Sequence, residues 1–119
     1  MDMKSLPIII IALILSSGCA TTKTDRSWSR HDKVLALACC TATAADAYTT
    51  MRAMEIPGNY ENNFILGDHP NDTEVIAYMA ASQLIVLAIA HVFPQLRRYL
   101  LTSVTTMGGV CAIRNSRLY

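Results

Sequence analysis

Asp46 is the residue of this chain with the clearest capacity for chemistry. It lies near the middle of an apolar, alanine-rich run, "KVLALACCTATAADAYTTMRAM". In lipid a carboxylate at that depth costs about 2.5–3.5 kcal/mol, so it has to face protein or water. Thr49, Thr50 and Ala53 follow it at i+3, i+4 and i+7 and would share its helix face. Two uses fit such an acid: a proton relay or ligand-binding carboxylate, or a structural acid paired with Gln83, His91 or Arg114 on a neighbouring helix. The second concentration of polar groups is "ENNFILGDHP", residues 61–70. Glu61, Asn63 and His69 are its potential ligands or acids, and Glu61, Asp68 and His69 together could hold a divalent cation. The candidate polar site is therefore Asp46, Thr50, Glu61, Asn63 and His69.

Other chemistries lack their residues. There is no HExxH, no GxSxG, no phosphate loop and no dinucleotide fingerprint, so the reading leans away from an enzyme and implies no cofactor. The four cysteines (Cys19, Cys39, Cys40, Cys111) have no zinc-type spacing, and no metal site is expected. Cys39 and Cys40 read as small buried residues. His91, alone on an apolar helix, reads as a hydrogen-bonded interfacial histidine. A net charge of +1 without a basic stripe excludes a nucleic-acid partner.

The elements that must position these residues are helices. Of the 119 residues, 52% are hydrophobic and only 16% charged, against about 25% charged in ordinary soluble domains. That balance points to a membrane, with a soluble three-helix bundle as the competing reading. A first helix is predicted over 33–54, capped by Asp32 or Ser29 and stopped by Pro57-Gly58. Asp72 or Thr73 should cap a second helix, whose segment 75–93 is the strongest candidate span. On it Ala77, Ala81, Leu84 and Ala88 form a face suited to close packing. A third helix follows over 95–115, opened by Arg97 and Arg98 and weakened by Gly108-Gly109. Trp28, in a basic stretch just before the first helix, suits an interfacial anchor. In the loop, Phe64, Ile65 and Leu66 are expected to dip back onto the bundle and hold the polar residues near Asp46.

The N-terminus carries Lys4, an apolar run over 6–15 and then small residues, the layout of a secretory signal. "LSSGC" resembles a bacterial lipobox, which implies cleavage after Gly18 and lipidation of Cys19; Ser16 stands where leucine is favoured. The alternative is an uncleaved anchor helix. The expected organisation is thus 1–18 signal peptide or anchor, 19–33 polar juxtamembrane segment, and 34–119 helical membrane domain with a packed loop 57–72. The fold class is all-α, a small membrane-associated three-helix bundle behind an N-terminal signal or anchor helix. A lipidated Cys19 and three spans would put Arg97 and Arg98 outside the cytoplasm, against the positive-inside tendency.

"WSRHD" (28–32), "ADAYTT" (45–50), "ENNFILGDHP", "VIAYMA", the Arg97-Arg98 pair and Asn115 occur in an order and spacing that resembles a family of small bacterial and phage helical membrane proteins without a known activity. The loop is the most specific part, matching at Glu61, Asn63, Leu66, Gly67, His69 and Pro70. Tyr48 and Phe64 depart from the family pattern, where glutamine and proline are usual. The resemblance implies a compact helical membrane protein. The functional expectation is a structural or interaction role in the bacterial envelope, lipid-anchored or multi-span. The lipid bilayer is its partner, with another envelope protein or self-association as further possibilities.

Overall fold

The computed structural model describes residues 25–119; the signal segment and Cys19 lie outside them. Three helices make up the fold: α1 (Arg30–Met54), α2 (Asp72–Val92) and α3 (Pro94–Asn115). The described residues contain no strand. The all-α, three-helix architecture expected from sequence is the one found.

Each helix begins where local chemistry allows. Ser29 caps α1: its hydroxyl accepts from the Asp32 N–H, and the Asp32 carboxylate accepts in return from the Ser29 N–H, both at 3.1 Å. This reciprocal box satisfies two orphan donors and starts the helix three residues earlier than predicted. Asn71, rather than Asp72 or Thr73, caps α2 through the same device with Glu74. Pro94 opens α3 at its first turn, where no backbone donor is needed. Only Phe93 separates α2 from α3, and its N–H closes α2 on the Ile89 carbonyl. Threonines fit inside the apolar helices because their hydroxyls donate back to the preceding turn, as Thr41 does to Leu37 and Thr105 to Leu101.

The pairings set the directions. Trp28 meets His91, and Thr43 meets Gln83, so α1 and α2 are antiparallel. Arg98 meets Asp32, and Asn115 meets Asp46, so α1 and α3 are parallel. Arg97, Arg98, Arg26 and Arg30 therefore gather at one end, and the 55–71 loop and the C-terminus at the other. A Cβ on Gly108 would lie 3.2 Å from the Ala42 carbonyl carbon and oxygen. Gly108 thus lets α1 and α3 approach backbone to backbone, while Gly109 faces open space.

Burial mixes polar and apolar groups. Asp32, Thr49, Thr50 and Arg97 are buried together with Cys39, Ala53, Val75, Ala90 and Leu101. Leu37, Leu84, Ile85, Val110 and Ile113 are exposed. By length and composition α1 and α2 can cross a membrane, and only 22% and 11% of their apolar windows are buried. At 1.5 Å per residue α2 runs about 32 Å, close to a hydrocarbon thickness of about 30 Å. The face of Ala77, Ala81, Leu84 and Ala88, expected to pack, is exposed. Val75, Gln83, Val86 and Ala90 turn inward instead. Gln83 decides this: its amide needs partners, which only α1 supplies.

Candidate functional site

Asp46 and Thr50 sit one turn apart on α1, facing the last turn of α3. The Asn115 side-chain amide donates to Thr50 Oγ1 at 2.9 Å and to Asp46 Oδ1 at 3.2 Å. The three potential partners expected for Asp46 are not used. Gln83 is occupied nearer the middle of the bundle, where its Oε1 accepts from the Thr43 hydroxyl at 2.8 Å and its amide reaches the Cys40 sulfur at 3.4 Å. His91 lies at the opposite end of the molecule, bonded to Trp28. Arg114 forms no ion pair with Asp46, although it adjoins Asn115 in sequence. The neighbours expected on the Asp46 face, Thr49, Thr50 and Ala53, are all buried.

Asp46 lines a cleft of about 380 Å³ bounded by α1, α2 and α3. Asn63 reaches the same cleft from the loop. Glu61 joins the group through Asn63. Its carboxylate accepts from the Asn63 N–H at 2.9 Å. Four of the five candidate residues, Asp46, Thr50, Glu61 and Asn63, are therefore brought to one region of the loop end. His69 follows the Asp68 carbonyl that Glu61 bonds, but it is exposed and does not line the cleft. No group of three His, Cys, Asp or Glu side chains suited to a metal occurs among the described residues, so the Glu61–Asp68–His69 cation site does not form.

The loop is held by turn hydrogen bonds, not by its apolar centre. The N–H groups of Leu66 and Gly67 both donate to the Asn63 carbonyl, and Ile65 N–H donates to Asn63 Oδ1. Glu61 N–H bonds the Asp68 carbonyl and closes the base at 2.9 Å. Gly67 supplies the left-handed conformation this turn needs, with φ of 74°. The turn projects Phe64 and Ile65 outward, 91% and 62% exposed, and only Leu66 is half-buried. The expectation that Phe64, Ile65 and Leu66 fold onto the bundle is thus overturned. The buried anchor of the loop is Pro70.

A second polar cluster locks the opposite end, and the sequence reading did not assemble it. Arg97, 3% exposed, donates to Asp32 Oδ2 at 3.0 Å and to the carbonyls of Ser27, Ala90 and Arg26. Arg98 Nε takes the other Asp32 oxygen at 3.1 Å. Trp28 lies over Arg97, with the guanidinium carbon 4.4 Å from the ring centroid, and its indole N–H donates to His91 Nδ1 at 3.1 Å. Trp28 is therefore a cation–π and hydrogen-bonding member of the bundle, half-buried, rather than a plain interfacial anchor. Just before it, the Ser27 N–H and then its hydroxyl donate to Asp25 and hold that carboxyl below its usual range. The signal for the cluster was the pair of motifs "WSRHD" and "RR", whose opposite charges call for each other.

Chemically, the basic end is a satisfied structural cluster, whereas the loop end presents a carboxylate to an open cleft. Comparison with protein-family models, with curated proteins and with solved structures finds no match to this chain.

Proposed function

We propose that the chain is a small helical membrane protein of the bacterial envelope with a structural or interaction role. The observation that carries this reading is the distribution of side chains: Arg97, Asp32 and two threonines share the small interior, while many large aliphatic side chains lie outside on the helix faces. In water such a surface would expose many large apolar side chains, and soluble monomers rarely carry large apolar patches. In lipid it is the stable arrangement, because polar groups then satisfy one another within the bundle. The resemblance of residues 28–115 to small bacterial and phage membrane proteins agrees with it, and so does the lipobox-like stretch before Cys19.

The reading has a direct test. The protein should stay with membranes through alkaline carbonate extraction. Reporters fused after Asp68 and after Tyr119 should report one compartment, and a reporter fused after Gln95 the opposite one. Release into the soluble fraction refutes membrane residence; opposite signals at Asp68 and Tyr119 refute the up-down-up arrangement in the bilayer. Lipidation is tested separately: Cys19→Ser should abolish lipid labelling, and persistent labelling overturns it.

A second reading, an intramembrane binding site, is favoured by one observation: Asp46 on α1 and Asn63 on the loop line the same cleft. Binding rather than catalysis suits it, since no nucleophile is paired with a base there.

A further inference from the structure

We propose that the cleft between the helices takes an amphipathic organic cation, its charged head beside Asp46 and its apolar body between Met79, Val86, Val104 and Met107. The proposal rests on the binding-site reading of the cleft and names its ligand class.

The charge argument starts from Asp46. A carboxylate offers about four acceptor positions. Within the described residues the Asp46 side chain receives one bond, from the neutral amide of Asn115, and no Lys, Arg or His lies within ion-pair distance. The contrast with Asp32 is direct, because that acid is bound by two guanidinium groups. Glu61, whose carboxylate accepts from the N–H of the cleft-lining Asn63, adds a second acid at this end. The loop end thus presents an acid without an ion-pair partner at the wall of an open cleft, and a cation is the complementary occupant.

The remaining lining selects the kind of cation. A small hard ion such as Ca²⁺ is usually held by several carboxylates, and no group of three His, Cys, Asp or Glu side chains forms among the described residues. Its wall surface is largely apolar, from methionine, valine and the Tyr78 ring, with Thr43, Ser82, Gln83 and Ser103 as further polar points. Methionines adapt to irregular apolar shapes and are common at surfaces that accept varied partners. A volume of about 380 Å³ falls within the usual range for small-molecule sites. Apolar walls and a carboxylate that no base pairs describe a site for a weakly hydrated cation with a hydrophobic body.

The test uses the full chain in phosphatidylcholine nanodiscs, with tetraphenylphosphonium as the cationic probe and tetraphenylborate as an anion of the same shape. The wild type should bind the cation saturably above empty nanodiscs, and the anion should show no saturable binding. Asp46→Asn keeps an oxygen for Asn115 and should weaken cation binding about tenfold or more. Met107→Trp should fill the cleft and remove binding while leaving the carboxylate in place. If Asp46→Asn loses its helicity, Glu61→Gln replaces it, with an expected loss of several-fold. Unchanged cation binding in a folded Asp46→Asn, or in Glu61→Gln where it is used, overturns the proposal. Equal saturable binding of cation and anion, lost in Met107→Trp, overturns the ligand class and leaves the cleft a binding site. Absence of saturable binding of either probe overturns the binding-site reading along with the proposal.

Discussion

Replacing Arg97 by alanine should unlock the end of the bundle where all three helices meet. The Arg97 guanidinium serves one carboxylate oxygen of Asp32 and three backbone carbonyls, from Ser27, Ala90 and Arg26, and lies under the Trp28 ring. Removing one partner of a buried ion pair costs about 3–5 kcal/mol, because the other charge is left without compensation. Asp32 keeps Arg98, whose side chain is 62% exposed, so the lower end of that range applies, about 3 kcal/mol. Arg98→Ala is the internal control: a largely exposed partner contributes up to about 1 kcal/mol. Arg97→Lys keeps the charge but has three donors without the planar fork, and should fall between the two. Trp28 is the only tryptophan and sits on Arg97, so its fluorescence reports directly on this end. Unfolding of the protein in mixed micelles by increasing the sodium dodecyl sulfate fraction, followed by Trp28 emission and helicity, gives the three stabilities. Equal losses for Arg97→Ala and Arg98→Ala, or a loss below about 1 kcal/mol for Arg97→Ala, would refute the buried-pair argument.

Two further predictions concern the packing of α1 against α3. Gly108→Leu should destabilise by roughly 1–3 kcal/mol, since its side chain must enter the 3.2 Å approach to the Ala42 backbone; Gly109→Ala, in open space, should stabilise by about 0.5–1 kcal/mol. The same micelle titration checks the pair, and equal effects would refute the close approach. Asn115→Leu strips Asp46 and Thr50 of their shared donor and should cost about 1–3 kcal/mol. Asp46→Asn should leave stability nearly unchanged, and a larger loss for it than for Asn115→Leu would refute the assignment of the bond.

Much of the framework was legible in the residues. Alanine-rich and aliphatic runs bounded by Ser29 or Asp32, Pro57-Gly58, Asp72 or Thr73, and Pro94 mark out three helices, because capping and proline chemistry act within a few residues of chain, although the cap of α2 proved to be Asn71. The loop's turn chemistry was legible for the same reason. Its centre was misread: Phe64 and Ile65 are apolar, and apolarity alone predicts burial, but the turn built by Asn63 and Gly67 points them away from the bundle. The packing face of α2 was misassigned for a related reason. A helix apolar nearly all round carries no stripe to mark its inner side, and a single glutamine, Gln83, set the choice.

What the sequence by itself determined is local: where each helix starts and stops to within three residues, that two of them are apolar enough for a bilayer, and that Asp46 and Thr50 share a face. What only the tertiary structure decided is partnership across the chain. Asp32 finds Arg97 and Arg98 some sixty-five residues away, Trp28 finds Arg97 and His91, and Asp46 finds Asn115 rather than Gln83, His91 or Arg114. The physical reason is that caps and turns are satisfied by groups within one turn of chain, whereas an interior charge accepts any complementary group the bundle delivers. Helix direction and the Gly108–Ala42 approach determine which group that is.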